Sequence, residues 1–474
     1  MHENLKHLIK KSKELFSLDF IDNLSKKSGF IKRKGKMSAE KFMAFSIFSS
    51  DDLCIKSLSS LCARLEVQFG IIISPQSLNE RFNDNSVKFL QELFNSMLIK
   101  ENNLLQDRNS SLSQIFNRIL VTDSTVLTLP KEFYNIFRGC GSKQLGSALK
   151  IQLQFDLISG NFTCCEVQEG VVADASYVKT MLDAIKPNDL SLADLGYFKS
   201  DFLNKINEKG AYYISKIKCN TNIYIKNPNP EFYKTAGNIK KYTEFIKVDI
   251  YESIKNLKEG ETIELKDVFI GSKKELKPRL ILTKLDKAQT EKRADKLLKN
   301  VKKKRGTFNP KSISWNCLNA YITNVEDNIL TTEEIHLFYS LRWQVELMFK
   351  IWKSIFKIHQ VKKVKIQRFK CFLYGRLIAL LFSSNIVYAA KEILLEKEGK
   401  EISNHKAFDK VIEYFPRLRE DVFKGDISIA RSLERLITII SRLAQKSKRK
   451  GSKTTKEILN LLIKTSDYPI KFAI

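Results

Sequence analysis

The chain has 474 residues, more than one hydrophobic core usually serves, so about two to four domains are expected. Lys and Arg number 81 against 53 Asp and Glu, a formal net charge of +28, and such a surplus points to a polyanion as partner. A membrane surface fits less well. Residues 1–20 lack the apolar run of a signal peptide, and the most apolar stretch, Cys371 to Leu395, is broken by Arg376, Asn385 and Lys391.

The chain is therefore expected to be cytoplasmic, with nucleic acid and no membrane as partner. Its eight cysteines include no C-x-x-C pair and its five histidines are dispersed, which argues against both a disulfide framework and a zinc site. Any metal should be hard and oxygen-bound.

In chain order, residues 1–115 read as helical and basic, with Lys26, Lys27, Lys32, Arg33, Lys34 and Lys36 clustered around Gly29 and Gly35. SLSSLCARLEVQFG followed by IIISPQSLNERFNDNSVKFLQELFNSML predicts helix, turn, helix, helix, with Ser74-Pro75 as a start signal. Gln76, Asn79 and Arg81 suit a DNA-reading helix, and an ordinary helical hairpin fits equally well.

From 117 to 217 the pattern changes. RILVTDSTVLTL, KIQLQFDLIS and FTCCEVQE predict three strands, followed by helix ASYVKTMLDAI, strand DLSLADLG, helix FKSDFLNKINEKG and strand AYYISKIK. That order is the element order of the ribonuclease-H-like α/β fold. Residues 218–332 lean towards strand (TEFIKVDIYESI, TIELKDVFIG, PRLILTKL, LNAYITNV), interrupted by the basic helix KAQTEKRADKLLKNVKKKRG. This segment reads as an insertion into the α/β domain. The basic helix suits either solvent or a DNA backbone. Helices are expected from 333 to the end, with QKSKRKGSKTTKE as a basic turn.

Within YSLRWQVELMFKIWK there is no Gly or Pro, so one continuous helix is the natural expectation. At ~100° per residue, Tyr339, Arg342, Glu346 and Lys353 then fall within an arc of ~60°. A carboxylate flanked by a phenol, a guanidinium and an ammonium suits a metal ion and a phosphate backbone together.

Two further acids could complete a two-metal phosphoryl-transfer site, which needs about three converging carboxylates. Asp123 lies within LVTDSTVLTLP. Asp194 ends the strand LSLAD, where α/β folds place ligands. Asp156, Asp201, Glu333 and Glu334 compete, but Asp201 should face solvent and the two glutamates suit a helix N-terminus.

Asp-Ser-Thr on the first strand, Asp-x-Gly-Tyr-Phe after the fourth and Tyr-x2-Arg-x3-Glu-x6-Lys late in the chain together resemble the DDE transposases of bacterial insertion sequences, in particular insertion-sequence family four. The resemblance spans roughly 70–460. It implies a ribonuclease-H-like catalytic core (116–217 and 333–395) with a β-rich insertion (218–332), flanked by a helical DNA-binding region (1–115) and a helical C-terminal region (396–474).

It further implies an enzyme that binds terminal inverted repeats in double-stranded DNA, cleaves the ends and joins the 3′-hydroxyl to target DNA, acting as a homodimer near the bacterial nucleoid. Asp123, Asp194 and Glu346 would hold two Mg²⁺ or Mn²⁺ ions. Tyr339, Arg342 and Lys353 would grip phosphates. Some members carry a base-stacking Trp before the late helix, and Trp315 is the nearest one here, with Tyr321 inside the following strand. A catalytically inactive DNA-binding regulator and a simple metal-dependent nuclease are the alternatives.

Overall fold

The computed structural model describes residues 2–31, 35–49, 52–103, 115–140, 146–233, 239–304, 315–447 and 453–465. Lys32, Arg33 and Lys34 of the N-terminal basic cluster, and 448–452 of the C-terminal basic turn, lie outside these residues. The described strands are β1 (Arg118–Leu129), β2 (Ser147–Asp156), β3 (Phe162–Glu169), β4 (Asp189–Ala193), β5 (Tyr212–Lys216), β6 (Ile223–Lys226), β7 (Phe245–Lys247), β8 (Thr262–Leu265), β9 (Val268–Ile270), β10 (Arg279–Lys284) and β11 (Leu318–Thr323). The chain forms two compact units. The first holds Met1–Asp107, Ser124–Val172 and Val345–Ser452; the second holds Arg108–Asp123, Ala173–Gln344 and Lys453–Ile474.

The first unit is built around the helix Ile366–Glu398, whose residues are buried almost continuously from Phe369 to Ala390. Length and composition would let this helix cross a membrane, but 89% of its most apolar window is buried inside the protein. It packs against the helices Asp84–Asn103, Ala39–Phe48, Asn404–Glu413 and Glu3–Leu15. Apolarity on all sides is what a helix covered on all sides requires. Gly375 permits one of these contacts, because a Cβ there would overlap the backbone carbonyl of Ser46.

The expected helix-turn-helix-helix is present as Leu58–Phe69, Pro75–Arg81 and Asp84–Asn103. Ser57 and Ser74 accept from the backbone N–H groups of Ser60 and Ser77, and Gly70 closes the first helix at φ +64°. In the β2–β3 hairpin, Asp156 accepts from the Ser159 hydroxyl at 2.6 Å, so this acid organises a turn.

The second unit carries a mixed sheet in the order β1-β4-β5-β11-β10-β8. β1, β4 and β5 are parallel neighbours, while β11, β10 and β8 continue antiparallel. Half of the expected insertion is thus an extension of the α/β sheet.

Two strand expectations need correction here. TIELKDVFIG is not one strand: Asp267 takes φ +54°, and the turn sends β8 to the large sheet and β9 to a separate sheet, β7-β6-β9. TEFIKVDIYESI is strand only over β7, after which Ile250–Ile254 is helical.

Candidate active site

Arg118 and Asp189 are register partners at the start of the parallel β1/β4 pair. Both are buried, and the guanidinium clasps the carboxylate through Nε (2.9 Å) and Nη2 (2.5 Å). The register then runs residue by residue to Thr122 opposite Ala193. Asp123 follows Thr122 within β1, and Asp194 follows Ala193 just past the end of β4, at the start of the one-turn helix Leu195–Tyr197. On the other side of β4, Leu192 pairs with Ile214, and Tyr321 of β11 pairs with Lys216 of β5. Lys216 lies two residues past Ile214, close enough to Asp194 for that carboxylate to act on its ammonium, and Asp123, Asp194 and Tyr321 all act on Tyr339, so these side chains form one cluster.

Two residues of the late motif meet this cluster. Arg342 Nη1 lies 3.1 Å from Asp123 Oδ2, an ion pair with both side chains largely shielded. The Tyr339 hydroxyl donates to the Ala193 carbonyl at 3.3 Å, beside Asp194. Burial pushes the Tyr339 phenol up from its ordinary value; Arg342 opposes this, while Asp194, Tyr321 and Asp123 reinforce it. The phenol therefore stays protonated and acts as a donor.

Lys216 holds its ammonium 5.4 Å from the centre of the Tyr339 ring. Burial pulls Lys216 below the ordinary lysine range, with Arg293 and Arg342 acting in the same direction and Asp194 against them. Below it, Tyr321 is packed 5.1 Å from the Tyr339 ring and hydrogen-bonds His336 Nδ1 at 2.7 Å. Burial, Lys216 and Arg293 lower His336, so its imidazole is neutral near pH 7. Tyr321 is 1% exposed and so is core rather than a surface for a base. Lys216 is not among the expected site residues: its only signal is that AYYISK ends on a lysine, and the pairing of distant strands that brings it near Asp194 is not local information.

The stripe expected on a single helix is divided. Helix Thr332–Ser340 ends before Arg342, and a second helix, Trp343–Ser354, follows. At the junction the backbone bonds are of the i→i+3 kind, Leu341 to Phe338, Arg342 to Tyr339 and Gln344 to Leu341. That tighter winding changes the angular count on which the 100° projection rests.

Glu346 lies in the first turn of the second helix. In the first unit, Glu346, Phe349, Lys350, Lys353, Ser354 and His359 line an open depression of about 470 Å³. Partial burial pulls Lys353 below its ordinary value. Trp315 sits on a one-turn helix, Trp315–Cys317, immediately before β11. Glu334 completes a capping box with Thr331, accepting its N–H at 3.0 Å, and Asp201 is exposed.

Asp123 and Asp194 offer oxygen donors only, which fits a hard divalent cation. Among the described residues no three His, Cys, Asp or Glu side chains gather closely enough to make a full ligand set. Here Arg342 supplies the positive charge against Asp123.

Carboxylates on β1 and just past the parallel β4, beside Arg342, Lys216 and Tyr339, suit the chemistry of phosphate esters. Residues 115–382 match the family described as "Transposase DDE domain", and the chain belongs to that transposase family, whose members are enzymes of DNA transposition. It is 47% identical over 474 residues, the whole of both chains, to the transposase for insertion sequence element IS1151 of Clostridium perfringens. It is 35% identical over 443 residues (94% of this chain and 92% of the relative) to that for IS231B of Bacillus thuringiensis subsp. berliner. A cryo-EM structure of piggyBac transposase in a synaptic complex with hairpin DNA aligns with TM-score 0.44 and 12% identity, covering 95% of this chain and 88% of that one.

Proposed function

We propose that this protein binds the terminal inverted repeats of an insertion sequence, cleaves the ends by metal-dependent hydrolysis and joins the freed 3′-hydroxyl to target DNA. The observation that carries this reading is the gathering of Asp123 and Asp194 around Tyr339 and Arg342, with Arg342 on the first carboxylate. Glu346 is assigned as the third acid on the Tyr-x2-Arg-x3-Glu-x6-Lys motif. Two Mg²⁺ or Mn²⁺ ions held by Asp123, Asp194 and Glu346 would polarise the scissile phosphate and make water or a 3′-hydroxyl nucleophilic.

The chain's other groups orient the DNA. Arg342 presents a fork matched to phosphate oxygens, Tyr339 donates one hydrogen bond and Lys353 adds a point charge. Trp315 is assigned to a DNA contact near the cut end. A ribonuclease-H-like core is supported by the parallel β1, β4 and β5 and the antiparallel β2–β3 pair. Two copies, one per transposon end, would form the working homodimer.

The test is incubation with DNA bearing the element's terminal repeats, with and without Mg²⁺. Metal-dependent 3′-end cleavage followed by joining, abolished by Asp123→Asn, Asp194→Asn and Glu346→Gln, is expected. Binding without cleavage would favour an inactive regulator, and degradation regardless of sequence would favour a simple nuclease.

A further inference from the structure

The small sheet β7-β6-β9 has two chemically different faces. Its register pairs Tyr224 with Lys247 on one side and Phe269 on the other, and Lys226 with Phe245. Because partners across strands share a face and alternate residues return to it, Tyr224, Phe245, Phe269, Lys226 and Lys247 lie on the same side. Ile223, Ile225, Ile246, Val268 and Ile270 occupy the other. All three rings are half-buried and Lys226 and Lys247 are exposed; on the other face Ile225 and Ile246 are exposed while Ile223, Val268 and Ile270 are buried.

Further cations are held over these rings. The Lys274 ammonium lies 4.1 Å from the centre of Phe245 and 4.9 Å from that of Tyr224. Lys277 lies 5.8 Å from the centre of Phe269 and also pairs with Asp267 at 2.8 Å. Lys274 reaches its place from a left-handed backbone, φ +56°, which a residue with a Cβ rarely adopts. The arm between β6 and β7 adds the exposed Phe232, Tyr233 and Tyr242.

We propose that this aromatic and lysine face is a platform for unpaired DNA. Each ring offers a surface for a base, and the lysines, exchanged from ring to backbone, meet the phosphates. Single strands are the matching partner because a duplex hides the base faces that such rings read. This rests on the chain's acting on DNA, but not on the assignment of its catalytic acids.

The test uses the full-length protein in EDTA, titrated with a short oligothymidylate and with duplex carrying the terminal repeats. Tyr224→Leu combined with Phe245→Leu keeps the rings' apolar contribution to the sheet but removes their stacking faces. It should weaken oligothymidylate binding about tenfold or more, at low and high salt, with little change for duplex. Lys226→Gln with Lys247→Gln leaves the rings in place and should lower the salt slope by about 1.4. An oligomer carrying 5-iodouracil should crosslink to Tyr224 or Phe245.

Unchanged binding in both double variants, equal losses for duplex and single strand, or crosslinks confined to other regions would each overturn the platform. The titration in EDTA needs neither metal nor cleavage, so failure of the platform and failure of the catalytic assignment give different results.

Discussion

Arg118 lies five residues before Asp123, and Asp189 five before Asp194, so the buried ion pair helps hold together the two strands that lead to these acids. Removing one partner strands a charge in the interior. Asp189→Ala should therefore cost about 3–5 kcal/mol in denaturant unfolding, far more than a surface ion pair would. At the site itself, Arg342→Lys keeps the charge but loses the planar fork that faces Asp123. End cleavage in that variant should fall about tenfold to hundredfold with the melting temperature unchanged. An activity equal to the parent's would show that charge alone is enough.

Among the elements, the helix Thr332–Ser340 is anchored at its start by Glu264 of β8, which accepts from Arg279 Nη2 (2.8 Å) and from the Thr332 hydroxyl (2.7 Å). The hydrogen bond from Arg279 holds the Glu264 carboxyl below the usual glutamate range despite partial burial. A depressed carboxyl contributes stability that is present above the ordinary glutamate pKa and is lost as pH falls through it towards the folded value. Thermal melts should show an acid-side loss that shrinks in Glu264→Gln. In the first unit, Gly375→Ala forces a methyl into the Ser46 carbonyl and should destabilise by about 1–3 kcal/mol or more, read by denaturant midpoint.

For the whole molecule, the surplus of +28 predicts DNA binding that is steeply salt-dependent. For roughly 6–10 phosphate contacts, affinity should fall about 10³- to 10⁵-fold between about 50 and 200 mM salt. A nearly flat response would contradict a binding mode dominated by phosphate contacts.

Most strands and helices were legible because their signals are local. Alternation marks β3 and the second half of β1, an apolar, turn-bounded run marks β11, and the serine caps mark the N-terminal helices. The break near Arg342 was not legible, because YSLRWQVELMFKIWK contains no helix breaker. The split of TIELKDVFIG at Asp267 was equally hidden, since nothing in the local alternation shows which sheet each half joins.

The sequence by itself determined the charged character, the chemistry of the three motifs and the membership in a family of phosphoryl-transfer enzymes, because residue type and spacing along the chain are enough for these. Only the tertiary structure decided that Asp123, Asp194, Lys216 and Arg342 come together and that Tyr321 is sealed against His336. Those facts depend on strand register across distant segments. Register is fixed by burial and by the Arg118–Asp189 pair, which no window of local sequence contains.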